Sequence, residues 1–373
     1  MTASPPAIEA TDTLTRTLRR VHRAASDLRR GVPVLLEGES PLLLLAAETA
    51  GVESLAEFVS LGVTPPVILF ASVRGAAVLR QAAEGDTGVI AAVLPEELAN
   101  PDGLRGLADP TARQPVTTGM VTVASPPGAA AAIALAKLGR LLPAVLAVSP
   151  VPTTGFADRA MISVSATDVL GYPAMEGAGL RIVASARVPL ADAPDSRVVA
   201  FRAEGSAIEH LAIVIGRPEA SEAPLVRIHS ECFTGDLLGS MRCDCGEQLR
   251  GAIHRIAEHG AGIVLYLAQE GRGIGLVNKL RAYTLQDRGL DTMDANRVLG
   301  WGADERNFLV GANMLLALGV TKVRLLTNNP DKIAGLTACG VEVAGREPHA
   351  FAPNEVNDAY LATKAVRFGH ILD

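Results

Sequence analysis

The stretch Leu225-Val226-Arg227-Ile228-His229-Ser230-Glu231-Cys232-Phe233-Thr234-Gly235-Asp236-Leu237-Leu238-Gly239-Ser240-Met241-Arg242-Cys243-Asp244-Cys245-Gly246 holds three of the chain's four cysteines. An apolar strand, Leu225–His229, leads into them. Their spacing is C-x10-C-x-C, and no histidine completes the usual four-ligand structural zinc pattern. Three thiolates leave a tetrahedral Zn²⁺ with one open position, the layout of a catalytic zinc that holds a water. One zinc per chain, on Cys232, Cys243 and Cys245, is the expectation; buried inert thiols are the alternative. Cys339 stands 94 residues beyond Cys245 in a Gly-rich, turn-like setting and reads as a bystander.

Outward from this segment the pattern alternates. Gly246–His259 reads as a helix with Leu249, Ile253 and Ile256 on one face. Gly262–Leu267 reads as a fully buried strand running into Gln269-Glu270-Gly271-Arg272-Gly273-Ile274-Gly275-Leu276 and a helix through Gln286. Val323–Leu326 is another buried strand, followed by Thr327-Asn328-Asn329-Pro330 and a helix near Asp331. Leu180–Val188, Ser196–Ala203 and His210–Val214 read as strands. In the first half, residues 1–11 read as a loose tail and Asp12–Arg30 as a basic amphipathic helix with Asp12 at its N-cap. Val32–Leu36 reads as a strand before the turn Glu37-Gly38-Glu39-Ser40, and Leu42–Ala50 as a buried helix. Val67–Ala71 and Ala144–Val148 read as strands, Ala129–Leu138 and Ala166–Tyr172 as helices. The Pro-, Thr- and Gly-bearing segment 149–179 is the expected boundary. The reading is α/β (α+β), two domains over residues 1–170 and 171–373, each a mixed sheet with flanking helices.

Composition narrows the class. The 373 residues are 49% hydrophobic and 20% charged, enough for two cores and unlike a disordered chain. Aromatics are 3% and the net charge is −6, so neither a stacking platform nor a basic surface for nucleic acid is expected. Neither a signal peptide nor an apolar run long enough to span a bilayer is visible, and clustered cysteines suit a reducing cytosol. The expectation is a cytoplasmic chain with no nucleic-acid or membrane partner, assembled as a homodimer.

Three strand ends carry chemistry, and ligand sites of open α/β sheets gather at such carboxyl ends. In Gly271-Arg272-Gly273-Ile274-Gly275 the glycines let backbone N–H groups approach an anion, and Arg272 adds a charged fork. A merely tight strand-to-helix turn would look the same. Ala303-Asp304-Glu305-Arg306 sets a carboxylate two residues before a guanidinium, suiting a proton carrier beside a phosphate clamp; it also suits a surface salt-bridge cluster. Lys332 reads equally as a phosphate ligand or an exposed lysine. His229 suits a core or substrate-facing role better than metal ligation.

Taken together, these motifs resemble GTP cyclohydrolase II, which performs the first committed step of riboflavin synthesis. The likeness runs from Arg227–Asp236 and Arg242–Gly246 through Gln269–Leu276, Lys279–Tyr283, Asp291-Thr292, Ala303–Arg306, Leu325–Lys332 and Tyr360–Lys364, spanning about residues 180–373. The resemblance implies zinc on Cys232, Cys243 and Cys245. It implies GTP binding by Arg227, Ile228, His229, Ser230, Glu231, Gln248, Glu270, Gly271, Arg272, Thr292, Thr327 and Lys332. Asp304 would be the proton acceptor, Arg306 would sit at the α-phosphate, and Tyr283 would assist ring opening. Mg²⁺ would accompany the triphosphate. The expected products are 2,5-diamino-6-ribosylamino-4(3H)-pyrimidinone 5′-phosphate, formate and pyrophosphate. Alternatives are a relative that stops at the formylated intermediate or serves another pyrimidine pathway, and a non-catalytic GTP-binding scaffold. The intact Asp304, Arg306, Tyr283 and cysteines disfavour them.

The first half resembles the dihydroxybutanone-phosphate synthase domain often fused upstream of that enzyme. Leu14–Arg30, Pro33–Leu36, Ala46-Ala47-Glu48 and Ala130–Leu138 come in the expected order. That family's catalysis requires a dense acidic loop for Mg²⁺ and a His-Thr-Glu before the later helix. Here the loop is only Glu37-Gly38-Glu39-Ser40, and Gly128-Ala129-Ala130 stands near the histidine's place. The resemblance with these departures implies a catalytically dead domain.

Overall fold

A computed structural model describes residues 7–81, 88–152, 161–351, 356–357, 363 and 366–367. Its chain forms two compact units. One comprises Met1–Tyr172 with Val277–Glu305, the other Pro173–Leu276 with Arg306–Asp373. Among the described residues, each contains a mixed seven-stranded sheet flanked by helices.

The first unit's strands are β1 (Val34–Glu37), β2 (Leu42–Ala46), β3 (Val67–Ala71), β4 (Val89–Val93), β5 (Thr122–Val123), β6 (Ala144–Val148) and β7 (Ser163–Ser165), in the order β5-β4-β3-β6-β2-β1-β7. β1 and β7 pair in parallel and the remaining pairs are antiparallel. Leu42–Ala46 is a strand, where a helix over 42–50 was expected. It lies between β1 and β6 with all five residues buried, so both faces are apolar and its sequence shows no alternation. Short continuous apolar runs carry no periodicity to separate helix from buried strand.

Around this sheet lie α1 (Ala7–Arg29), α2 (Val52–Ser60), α3 (Ser72–Leu79), α4 (Pro101–Ala108) and α5 (Ala129–Leu138). The helix α1 starts at Ala7, a turn or more before the expected Asp12 cap. Alanine and glutamate in Ala7-Ile8-Glu9-Ala10 favour helix, and this propensity extends it upstream. The chain continues through α6 (Ala166–Ala178), within which it passes from one unit to the other.

The second unit's strands are β8 (Leu180–Arg187), β9 (Ser196–Ala203), β10 (Glu209–Ile215), β11 (Leu225–Ser230), β12 (Gly262–Leu267), β13 (Lys322–Leu326) and β14 (Glu342–Glu347), in the order β14-β13-β11-β12-β10-β9-β8. The four strands β11–β14 run parallel, and β8, β9 and β10 add an antiparallel flank. Helices α7 (Cys245–His259), α10 (Phe308–Ala317) and α11 (Pro330–Ala338) belong here; α8 (Leu276–Gln286) and α9 (Thr292–Val298) fall almost wholly in the first unit.

The period-two alternation of β11 positions the site. Val226 and Ile228 join Ile263, Leu265, Val323, Leu325 and Met314 in one core cluster. Leu225 joins Val264, Leu326, Ala252 and Ile256 in another, on the α7 side. Each such aliphatic side chain contributes about 1.5–3 kcal/mol on burial, so the register is strongly fixed. Arg227 and His229 share the parity of Leu225 and are therefore delivered to the α7 side.

Candidate active site and metal centre

Because β11, β12 and β13 are parallel, their carboxyl ends lie on one edge of the sheet. β11 ends at Ser230 and leads directly to Cys232. A π-type turn, Phe233–Leu237, then folds the chain back over its own start. Asp244 and Cys245 open α7, which places Cys245 at a helix N-terminus. The three sulfurs lie within 4.8 Å of one another, and Cys232 Sγ and Cys243 Sγ are 3.7 Å apart. Zn–S bonds of about 2.3 Å at tetrahedral angles give a sulfur–sulfur separation of about 3.8 Å. The donor set therefore fits zinc. The Gly235 amide donates to Cys232 Sγ at 3.3 Å, the kind of bond that steadies a metal thiolate. The Cys232 thiol and burial push Cys243 up to about 11 against the opposing pull of Cys245, and both neighbouring thiols with burial push Cys245 well above the usual thiol range. Such a cluster ionises readily only with a cation among the sulfurs.

Gly235 is required at its position. An added Cβ would meet Cys243 Sγ at 2.8 Å, Cys245 Cβ at 2.9 Å and Cys232 Sγ at 3.1 Å. Asp236, next to it, collects donors. Cys232 N and Tyr266 Oη donate to its Oδ2 at 2.9 and 3.0 Å, and His229 Nε2 lies 3.1 Å from both oxygens. The His229 ring also stacks on Tyr266 at 5.6 Å. Burial lowers the pKa of His229, against the opposing pull of Asp236.

Arg227 is buried, donating to Leu326 O at 3.0 Å and to Gln248 Oε1. Its pKa falls to about 10, because burial and the nearby Arg306 outweigh Asp244 and Cys245. Lys332 lies buried at the start of α11 and donates to Ile228 O at 2.8 Å. Asn329 caps that helix, accepting from Asp331 N, and Thr327 Oγ1 accepts from Asn329 N at 3.0 Å. At the end of β12, Glu270 accepts from Phe233 N at 2.7 Å and Gly271 N at 3.0 Å, tying the glycine turn to the cysteine turn. Gly271, Arg272 and Gly273 all have positive φ, at 63°, 63° and 98°. Left-handed backbone at a non-glycine costs about 1–2 kcal/mol, and such strain gathers at ligand sites. Arg227 Nε, Ser230 Oγ and Gln269 Oε1 are buried with no hydrogen-bond partner among the described residues.

These geometries sit within a recognisable sequence. A profile of GTP cyclohydrolase II matches residues 180–348. The GTP cyclohydrolase-2 of Azospirillum brasilense is 47% identical over 365 residues, covering 95% of this chain and 94% of that protein. The chain belongs to the GTP cyclohydrolase II family. Another protein so named, from Xylella fastidiosa, is 37% identical over 358 residues, 95% of this chain and 87% of its own length. The riboflavin biosynthesis protein RibBA of Parabacteroides distasonis is 52% identical over only 176 residues, 47% of this chain and 44% of that protein. Among solved structures, RibBX, a two-domain 3,4-dihydroxy-2-butanone 4-phosphate synthase from A. baumannii, aligns over 89% of this chain and all of that one, with 18% identity and a TM-score of 0.33.

Of the positions that likeness to GTP cyclohydrolase II singled out, one set lies in the second unit. It comprises Arg227, Ile228, His229, Ser230, Glu231, the three cysteines, Gln248, Glu270, Gly271, Arg272, Arg306, Thr327 and Lys332. Tyr283 on α8, Thr292 at the start of α9 and Asp304 in the following loop lie in the first unit. Lys279 Nζ sits 5.8 Å from the Tyr283 ring centroid, and Thr292 Oγ1 accepts from Gln286 Nε2 at 3.2 Å. Sequence reasoning missed Asp236, Tyr266, Asn328 and His349. The last two are linked twice: His349 N donates to Asn328 Oδ1 and Asn328 Nδ2 to His349 O, while His349 Nε2 lies 2.7 Å from Gln248 O. Only Asp236 carried a signal, as a carboxylate inside the cysteine segment.

Proposed function

We propose that the carboxyl-end cluster of the second unit is the GTP site, with the residue roles set out below. The protein has GTP cyclohydrolase II activity in riboflavin biosynthesis. One observation carries the site: three mutually adjacent cysteines at the end of a central parallel strand, beside a buried arginine paired to Gln248.

Cys232, Cys243 and Cys245 would hold one zinc, which when bound supplies Lewis-acid activation of water for attack at guanine C8. Asp304 takes the proton from the attacking water, and Tyr283 assists opening of the imidazole ring. Two waters are consumed at C8, which leaves as formate. A third is consumed at the α–β phosphate bond, releasing pyrophosphate. Arg306 neutralises charge at the α-phosphate, while Arg272, Lys332 and a Mg²⁺ carried with the nucleotide neutralise the rest. Arg227, Gln248 and Glu270 hold their neighbours in place through the bonds described, which supports pre-formed binding. Ile228, His229, Ser230, Glu231, Thr292 and Thr327 complete the nucleotide contacts. Residues 1–170 are non-catalytic in this reading, and the chain works as a homodimer.

Incubation with GTP and Mg²⁺, with products identified by mass, tests the reaction. Assaying formate and pyrophosphate in parallel tests the roles. Asp304→Asn is expected to depress formate release, and Arg306→Ala to depress pyrophosphate release most, by about 10²-fold or more. Arg306→Lys should rescue poorly, because it keeps charge without the planar fork. Wild-type rates of both products in both variants would move the active site elsewhere.

A further inference from the structure

Residues 277–305 carry Tyr283, Thr292 and Asp304, yet they pack within the first unit. The contacts are specific and charged. Arg281 on α8 donates through Nη2 to Glu48 Oε1 and through Nε to Asp109 Oδ2, both at 2.8 Å, and these three side chains are each less than one-fifth exposed. The second oxygens are also engaged: Glu48 Oε2 accepts from Leu142 N at 2.7 Å, and Asp109 Oδ1 from Thr111 N at 2.8 Å and Thr111 Oγ1 at 2.6 Å. One turn earlier, Asn278 Nδ2 donates to Arg140 O at 3.0 Å, and its Oδ1 accepts from Arg281 Nη1 at 2.8 Å. Farther along, Gly300 is wedged so tightly that a Cβ would lie 2.6 Å from Pro143.

The loop bearing Asp304 is fixed by its neighbour. Glu305 Oε1 accepts from Gly302 N at 2.7 Å and from Lys137 Nζ on α5, with both side chains of the pair about one-quarter exposed. Lys137 Nζ also lies 5.4 Å from the centroid of Trp301, itself buried. One ammonium thus ties both ends of the Trp301–Glu305 loop to α5.

We infer that the first unit serves the reaction as a positioning scaffold, in which the Lys137–Glu305 pair aims Asp304 and the Glu48–Arg281–Asp109 cluster seats the helix carrying Tyr283. The inference rests on the reading of Asp304 as proton acceptor. Lys137 and Glu305 are positioning residues: they act through the loop and not on substrate. Their loss should lower kcat and leave GTP binding nearly intact, since displacing a reacting group by about 1 Å costs about 10²-fold.

The test uses full-length zinc-bearing protein and the variants Lys137→Met, Lys137→Arg, Glu305→Gln and Asp304→Asn. Glu305→Gln keeps an oxygen for the Gly302 amide and removes only the charge. Lys137→Met and Glu305→Gln are expected to lower kcat for formate release about tenfold or more, with KM for GTP within about threefold. Lys137→Arg should stay near wild type, and amide exchange across residues 300–306 should quicken in Lys137→Met. Zinc content is measured throughout. If Asp304→Asn abolishes formate release while Lys137→Met and Glu305→Gln keep kcat within twofold of wild type, the positioning role is wrong and the Asp304 reading stands. If Asp304→Asn itself keeps full formate release, the Asp304 reading fails and takes the positioning role with it.

Discussion

Gly235→Ala is a sharp perturbation of the proposed metal centre, because it adds one methyl and changes no cysteine. Gly235 is absent from the positive-φ glycines, so alanine meets no backbone penalty there. The effect is steric. A Cβ placed 2.8 Å from Cys243 Sγ is roughly 0.8–1 Å inside a comfortable contact. The nearest atoms are two ligand sulfurs and a ligand Cβ, so relief comes only by moving the ligands. Overpacking of this size costs about 1–3 kcal/mol. If that cost falls on the metal-bound geometry, each 1.4 kcal/mol is a tenfold loss, so zinc affinity should drop about 10- to 100-fold. The assay is chelator competition with zinc counted per chain, alongside formate release. Gly345→Ala, where a Cβ meets nothing within 4 Å, is the silent control. Wild-type zinc affinity in Gly235→Ala would refute the assignment of this turn as the metal cradle.

Four further outcomes are expected. Cys243→Ser should lose both zinc and formate release, whereas Cys339→Ser keeps both; full activity in metal-free Cys243→Ser would overturn the zinc assignment. Burial chiefly, with Arg227 nearby, lowers His349 to about 4, so between that value and 6.5 the unfolded chain binds more protons and stability falls as pH drops through the window. A shift of this size is about 3 kcal/mol; the Tm-versus-pH curve of His349→Gln should therefore be flatter than wild type below pH 6.5, and identical slopes would refute it. Arg272→Gly should raise KM for GTP while stability changes by less than about 1 kcal/mol, because relief of a left-handed arginine offsets the entropy of an added glycine; an unchanged KM would remove Arg272 from the site. Ribulose 5-phosphate should yield no dihydroxybutanone phosphate, since Gly128 with φ 87° caps α5 near where the resemblance requires a histidine; product formation lost on deleting residues 1–170 would contradict this.

The cysteine cluster was legible because its members are local: Cys232, Cys243 and Cys245 are close in sequence, and the fold brings their sulfurs within 4.8 Å of one another. β3, β6, β12 and α5 were equally plain, each a bounded apolar run with the right length and flanks. Leu42–Ala46 was not, because burial between two strands erases the polar face that would have marked it. His349 and Asn328 were invisible for a different reason. Their value lies in a backbone-to-side-chain exchange 21 residues apart, which no spacing rule anticipates. The sequence carries no sign of which compact unit residues 277–305 join. The motifs there read as one continuous family block. Only the tertiary ion pairs of Arg281 and Glu305 reveal which core they join.

The chain crosses between its two units three times, at 172/173, 276/277 and 305/306. This bears on how the protein is made. Synthesis proceeds from the N-terminus at about 5–20 residues per second, and domains tend to fold as they emerge. Here the first unit waits: with Tyr172 already translated, Glu48 and Asp109 still lack Arg281, and Lys137 lacks Glu305. About a hundred residues of the second unit must appear before the insert that completes the first. At that rate the interval is roughly 5–20 seconds, during which Glu48 and Asp109 lack the Arg281 guanidinium from which both accept. A ribosome stalled between residues 200 and 270 should therefore display a first unit more open to protease than one stalled beyond residue 330.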